Sequence, residues 1–153
     1  MKNQEEVSVL NDLLHVMNDR IEGFEKVEGK IWEGYPDVKP EYAKIISLSK
    51  VMKNELINLI TENGEKASDT SSVSGAIHRT WIDIKNSFTI GNTEESTLEN
   101  VIFGEKAAAE AYQNGIDSGK LSQDSLDIVS EHLKNIKDSY HQFKRISEYK
   151  SKN

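Results

Sequence analysis

Two acidic residues each stand three positions before a histidine, a spacing that could bind a metal ion on a helix. The pairs are Asp12–His15 and Asp138–His141. Residues at i and i+3 share one face of a helix, so both side chains of a pair can reach the same ion. The Glu-x-x-His pattern common in metal-binding bundles does not occur. We expect the first pair at the surface, because the leucines beside it already mark the buried side, and we favour solvent for the second.

Glu105 is the acidic residue whose position most strongly demands a partner. It occupies one of the apolar positions of the helix predicted over 94–117, where its carboxylate would be buried. Because an unpaired buried charge is costly, we expect a counterpart. The candidates are a metal ion, His132, His141, Lys53 and Arg79. We favour a salt bridge or hydrogen-bond network, since protein groups satisfy most buried polar atoms.

A further group of functional side chains comprises His78, Arg79 and Trp81. We expect Trp81 to dock a short helix on the rest of the protein, because a large aromatic side chain is usually a packing residue. His78 and Arg79 would then lie near the rim of a small-molecule pocket beneath that helix. The plainer interpretation is a docking helix with a solvated outer face.

Composition excludes several other kinds of chemistry. The chain has no cysteine, which removes disulfides, thiolate nucleophiles and iron–sulfur clusters. It contains no P-loop and no Gly-x-Gly-x-x-Gly motif. With 26 acidic and 19 basic residues its net charge is −7, so we predict no nucleic-acid and no membrane partner. No apolar stretch approaches a membrane span or a leader segment, so we expect a cytoplasmic location.

The elements that must position these residues are helices. Apolar residues recur every three or four positions, and no segment alternates as a strand does. The 153 residues therefore predict one all-α domain, 1–153. The expected helices span about 4–33, 40–63, 75–89, 94–117 and 123–150.

Local signals mark where several of these helices begin and end. Asn63-Gly64 is expected to end one helix in the left-handed cap conformation. Gly115 and Gly119 are expected to close the helix over 94–117, and Ser122 to cap the last one.

The lengths of the connections predict the topology. Short turns join the first two long helices and the last two, whereas about thirty residues separate the second from the third. An up-down-up-down bundle needs no such link. We therefore predict a four-helix bundle with one long crossover, and the short helix over 75–89 lies in that crossover.

Three blocks of the sequence resemble a bacterial family of ferritin-like four-helix-bundle proteins of unknown function. They are Asn-Asp-Arg-Ile-Glu-Gly-Phe at 18–24, Gly-Ala-Ile-His-Arg-Thr-Trp-Ile-Asp-Ile-Lys at 75–85, and Gly-Glu-Lys-Ala-Ala at 104–108. The resemblance extends over nearly the whole chain, with the blocks in the same order. It implies a ferritin-like fold and a carboxylate and histidine metal site between the helices, but no known reaction.

Carried over residue by residue, the resemblance assigns candidate metal ligands. The lone carboxylates of the superfamily fall on Glu22 and Glu105, and Asp138 with His141 forms a shortened version of the last helix's pair. The second helix departs from the pattern, because it has no histidine and its interior acid is Glu55. A complete di-iron site is therefore not expected. A single iron or manganese ion, or a site completed by a second subunit, remains open.

Two functional hypotheses follow. The first is a non-catalytic bundle, stress-associated by family analogy, that acts through its surface or by self-association as a homo-oligomer. The second is a divalent-metal protein that binds iron or manganese through the four carried-over residues. The pocket at His78, Arg79 and Trp81 is a third, separate hypothesis.

Overall fold

The computed structural model describes residues 4–31, 39–65 and 94–151. These residues form four long helices and no strand, which confirms the all-α prediction for this part of the chain. The helices are α1 (Gln4–Ile31), α2 (Lys39–Glu62), α3 (Glu94–Asp117) and α4 (Gln123–Ser151). Their ends lie within one residue of the predicted ones wherever both fall in the described ranges. The predicted short helix over 75–89 lies outside those ranges.

Each helix packs against two others. The adjacent pairs are α1 with α2, α1 with α3, α4 with α3, and α4 with α2, the last being the least extensive. Tyr42, early in α2, donates its hydroxyl proton to the carbonyl of Phe24, late in α1. Gly115, late in α3, lies against Val9, early in α1. α2 and α3 therefore both run antiparallel to α1, on opposite corners of the bundle.

The start of α4 is fixed by side chains from two helices. Ser122 Oγ accepts a hydrogen bond from the backbone N–H of Ser125, which confirms its predicted role as the helix cap. Glu6 of α1 accepts two hydrogen bonds from Ser122, at 3.0 Å from the backbone N and 2.7 Å from Oγ. Because Glu6 lies in the first turn of α1, α1 and α4 begin at the same end of the bundle and run parallel.

Two glycines end helices and a third packs inside one. Gly64 and Gly119 have φ values of 80° and 71°, the left-handed conformation that glycine adopts readily after a helix. Gly115 was expected to help end α3, but that prediction is wrong. The residue lies within the helix, and a Cβ there would come within 3.3 Å of Leu13 Cδ1 and Val9 Cγ1. Its lack of a side chain allows α1 and α3 to approach closely.

The apolar core has two parts along the bundle. The larger part holds residues from all four helices, with Leu10, Leu14, Leu56, Tyr112 and Ile136 among its fully buried members. The smaller part lies where α1 ends and α2 begins, and it comprises Phe24, Tyr42, Ile46, Val101 and Phe143. The Tyr42 ring meets the rings of Phe24 and Phe143 edge to face, at centroid distances of 5.2 and 6.1 Å.

One part of α1 is buried on every face. All residues from Val9 to Met17 are buried, including Asp12 and His15. The expectation that Asp12–His15 lies at the surface is therefore wrong. An apolar repeat identifies the most buried stripe of a helix, but it carries no information about what covers the opposite side. Both side chains also have interaction partners.

None of the helices in the described ranges is both long enough and apolar enough to cross a membrane.

Candidate functional site

The first polar group inside the bundle is centred on Arg20 of α1. Its Nε and Nη2 donate to the two carboxylate oxygens of Glu105 on α3, at 2.6 and 2.8 Å. Its Nη1 donates to Ser49 Oγ on α2 at 2.7 Å, and Ser49 in turn donates to the carbonyl of Ile45. We call Arg20, Glu105 and Ser49 the Arg20 cluster. It joins three helices through one guanidinium group.

The Arg20 cluster is sealed from solvent. The side chains of Arg20 and Glu105 are only 5% and 1% exposed. The guanidinium carbon lies 5.0 Å from the centre of the Phe24 ring, and Nη1 lies 3.8 Å from the sulfur of Met17. A planar guanidinium that engages both oxygens of a carboxylate is the strongest ion-pair geometry available to side chains. The buried carboxylate is therefore fully compensated by protein groups.

This geometry tests the expectation for Glu105. The residue is buried and paired with a protein group, as predicted. Its partner, Arg20, was not among the candidates, which were His132, His141, Lys53, Arg79 and a metal ion. Arg20 lies one position before the apolar repeat residue Ile21, and a charged residue there is normally assigned to the solvated flank. A long side chain can reach the interior from such a position, which the repeat alone does not reveal.

The second polar group joins α3, α4 and α2 in a line. Tyr112 Oη lies 3.1 Å from His132 Nδ1, and His132 Nε2 lies 2.8 Å from Glu55 Oε1. We call these three residues the His132 chain. The Tyr112 side chain is fully buried, His132 is 2% exposed and Glu55 is 45% exposed. The His132 chain therefore leads from the bundle interior to solvent, between α4 and α2.

Burial dominates the titration of both aromatic members of this chain. It raises the pKa of Tyr112 above its ordinary value, partly opposed by the positive charge of Arg20. Burial also lowers the pKa of His132, and the positive charge of Arg20 lowers it further. The hydrogen bond to Glu55 and the negative charge of that residue act in the opposite direction. At neutral pH the phenol is therefore protonated and the imidazole is neutral.

The hydrogen bonds follow from these protonation states. The Glu55 carboxylate can only accept a hydrogen bond, so His132 carries its proton on Nε2 and donates it. His132 Nδ1 then has a free lone pair, and the Tyr112 hydroxyl donates to it. The buried hydroxyl of Tyr112 therefore has a hydrogen-bond partner. No local pattern in the sequence links the three residues, because they come from three different helices.

The residues proposed as metal ligands lie in different environments. Glu22 of α1, and Asp138 and His141 of α4, are exposed, whereas Glu105 is buried with both oxygens bound to Arg20. The exposed position of Asp138 and His141 agrees with the expectation that this pair faces solvent. Within the described residues, no group of three or more His, Asp or Glu side chains is arranged to hold a metal ion.

The proposed pocket residues His78, Arg79 and Trp81 lie outside the described residues. The small-molecule pocket therefore stays a prediction.

The chemical capacities of the two polar groups differ. In the Arg20 cluster the guanidinium already occupies the carboxylate that a metal ion would need. In the His132 chain a neutral imidazole lies between a proton donor and a half-exposed carboxylate, so it can accept a proton on one nitrogen and release one from the other.

Comparison with known proteins places the chain in a family. The model of one family, described as "Domain of unknown function (DUF2383)", matches residues 5–118. No curated protein and no solved structure matches the chain significantly. The matched range contains Arg20, Glu105, Ser49, Tyr112 and Glu55, but not His132. Because it covers well over half of the 153 residues, the chain belongs to this family of unknown function.

Proposed function

We propose that this protein is a non-catalytic, ferritin-like helical bundle that acts through its surface or by self-association. The observation that carries the proposal is the engagement of both Glu105 oxygens by Arg20, at 2.6 and 2.8 Å. The buried carboxylate is thereby matched by a guanidinium group that binds both of its oxygens. The cluster serves to hold three helices together.

The ferritin-like topology is part of this proposal. α2 ends near the end of the bundle where α1 begins, whereas α3 starts at the opposite end. In ferritin-like bundles a long crossover joins the second and third helices, which places them parallel on a diagonal. The directions and neighbours of the four helices support that topology. The short helix predicted over 75–89 belongs to the proposed crossover.

Two buried residues of α2 support a non-metal role. Di-iron bundles take a Glu from each of two helices and a Glu-x-x-His pair from each of the other two. In this protein α2 places Ser49 and Met52, three residues apart, in the buried interior. Neither side chain is a favoured ligand for iron or manganese, which prefer carboxylate and imidazole groups.

Self-association is supported by an apolar pair on the outer face of α2. Leu48 and Val51 are 42% and 53% exposed and stand three residues apart, so they are neighbours on the helix surface. We propose a second copy of the chain as their partner. Light scattering of the wild type and of Leu48→Ser/Val51→Ser tests this, and a dimer that dissociates in the double variant is the expected result. A wild type that is monomeric at high concentration would contradict it.

The alternative function is a divalent-metal protein that binds iron or manganese through Glu22, Glu105, Asp138 and His141. The accessibility of Asp138 and His141 on one side of α4 favours it, because an ion could reach them from solvent. Occupancy by all four residues would require Glu105 to exchange its arginine for the ion.

Metal analysis separates the two functions. Protein without a histidine tag, produced in iron- and manganese-supplemented medium, is assayed for bound metal beside Glu105→Ala. We expect no stoichiometric metal in either, and a change in stability alone for the variant. Stoichiometric iron or manganese in the wild type, especially with consumption of dioxygen, would overturn the scaffold proposal.

A further inference from the structure

We propose that Tyr112 is a one-electron donor whose oxidation is coupled to proton release along the His132 chain. The co-reactant is an outer-sphere one-electron oxidant. The phenol gives one electron to the oxidant and its hydroxyl proton to His132 Nδ1, which leaves a neutral tyrosyl radical and a reduced oxidant. Tyr112 would act in this way whether or not the bundle is a scaffold.

The first step depends on the hydrogen bond between the phenol and the imidazole. Oxidation makes a phenol a strong acid, so a nearby base takes its proton as the electron leaves. His132 Nδ1 lies 3.1 Å from the Tyr112 oxygen and is the acceptor in the neutral chain. Because Tyr112 is fully buried, bulk water does not reach its hydroxyl group as an alternative base. The position of the imidazole therefore determines where the proton goes.

The second step returns the imidazole to neutrality. The Nε2 proton of His132 passes to Glu55 Oε1 across a hydrogen bond of 2.8 Å between the two heavy atoms, and Glu55, at 45% exposure, releases a proton to water. His132 is then neutral with its proton on Nδ1. One electron has passed to the oxidant and one proton to solvent. Reduction of the radical reverses both transfers.

The charges around His132 fit a transient imidazolium. Glu55 of α2 and Glu131 of α4 favour the positive form, whereas Arg20 of α1 and burial oppose it. Tyr112 of α3 supplies the proton. An imidazolium flanked in this way is accessible for a short time but is not the resting state, which is what a relay requires.

Tyr42 provides a matched control within the same bundle. It is also fully buried, and its hydroxyl also donates a hydrogen bond. Its acceptor is the backbone carbonyl of Phe24, which is not a base at neutral pH. If burial alone determined how readily a tyrosine is oxidised, Tyr112 and Tyr42 would behave alike. If the imidazole is needed as a base, only Tyr112 should form the radical.

The experiment is flash photolysis with photogenerated tris(bipyridine)ruthenium(III) as the oxidant. The background variant carries Trp32→Phe and Trp81→Phe, which removes competing tryptophan donors. Electron paramagnetic resonance identifies the radical, and transient absorption gives its rate of formation. We expect a long-lived tyrosyl radical that disappears in Tyr112→Phe and persists in Tyr42→Phe. A signal retained in Tyr112→Phe, or lost in Tyr42→Phe, would overturn the proposal.

The proton acceptor is tested by His132→Gln, which keeps a hydrogen-bonding side chain but removes the base. We expect Tyr112 oxidation to slow by about 100-fold, the lower end of the effect of a positioned general base. The background variant should show a solvent deuterium isotope effect on this rate. That isotope effect should disappear when His132→Gln is added. An unchanged rate would refute the coupling.

Glu55→Gln changes the half-exposed end of the His132 chain, and it provides a second test if His132→Gln does not fold. We expect its rate of radical formation to fall several-fold, by at most about 10-fold, since water can replace part of the function of a half-exposed carboxylate. A rate and isotope effect equal to those of the background variant would contradict the proposed proton exit.

Discussion

The Arg20 cluster and the His132 chain are both polar groups in an apolar bundle, yet they handle charge in opposite ways. The Arg20 cluster contains two opposite charges that bind each other within 2.8 Å and are almost completely hidden from water. The His132 chain contains two groups that stay neutral when buried, and its charged member, Glu55, is 45% exposed. A buried charge needs an opposite charge in direct contact with it, whereas an exposed charge is solvated by water.

This difference assigns a different role to each group. Removing either Arg20 or Glu105 leaves the charge of the other residue buried without its counterion, so the cluster should dominate stability. Changes in the His132 chain leave a neutral polar atom without its partner, which costs less, and they alter how the protein responds to protons. Four predictions, in decreasing order of expected effect, test this comparison.

The largest effect is expected for Arg20→Met. This change leaves the Glu105 carboxylate buried without its counterion, and we expect a loss of about 3–5 kcal/mol in the free energy of unfolding. Urea denaturation followed by circular dichroism measures it. Arg20→Met/Glu105→Met should recover most of the loss, because no isolated charge remains.

An exposed ion pair serves as the control for that experiment. Lys50 Nζ lies 3.0 Å from a Glu25 oxygen, but both side chains are about half exposed. Lys50→Met should therefore change the free energy of unfolding by about 1 kcal/mol or less. Equal losses for Arg20→Met and Lys50→Met would show that the Arg20 cluster has no special importance for stability.

A smaller loss is expected for Tyr112→Phe. The change removes the donor to His132 Nδ1 and leaves that buried nitrogen without a hydrogen bond, at a cost of about 1–3 kcal/mol. The same urea titration measures it. A loss as large as that of Arg20→Met would mean that the His132 chain, like the Arg20 cluster, holds a buried charge.

The third effect is a pH dependence that His132 should produce. Its pKa is lowered in the folded protein, so below the ordinary value of 6.5 the unfolded chain binds a proton that the folded protein does not. Stability should then decrease as pH falls from about 6.5, by at most about 1.4 kcal/mol per pH unit, until the folded pKa is reached.

His132→Gln isolates this contribution, because all other titrating groups are retained. Thermal or urea unfolding at several pH values between neutrality and mild acid gives both curves. We expect the wild type to lose more stability than the variant on acidification. Parallel curves would show that His132 is not held in its neutral form by the fold.

The smallest effect is expected for Glu55→Gln. The side chain is close to half exposed, and an amide oxygen or water can still accept from His132 Nε2. We expect a change of about 1 kcal/mol or less at neutral pH. A loss of several kcal/mol would show that this end of the chain is as closed as the Arg20 cluster.

The helices themselves could be predicted from the sequence with good accuracy. The apolar repeats and caps placed the four described helices, and Gly64 and Gly119 adopt left-handed conformations at their ends. The predictions failed where a residue's surroundings depend on another helix. Gly115 packs inside α3 instead of ending it, and Asp12 and His15 are buried by what surrounds α1 rather than by its own repeat.

The candidate site could be predicted only in part. Glu105 was identified as a buried carboxylate that needs a partner, because its place in the repeat is a local property. The identity of the partner was missed, since a long arginine side chain reaches the interior from the flank of another helix. The His132 chain was also missed, because its three residues come from three different helices. Each of them nevertheless lies on or beside a buried stripe.

The sequence by itself determined which segments are helical and which stripe of each is buried, because these depend on residues three and four positions apart. Only the tertiary structure decided which polar groups meet. Arg20 and Glu105 are 85 positions apart, and Glu55 and His132 are 77 apart. Contacts of this kind are set by the direction, order and rotation of packed helices, which no local pattern encodes.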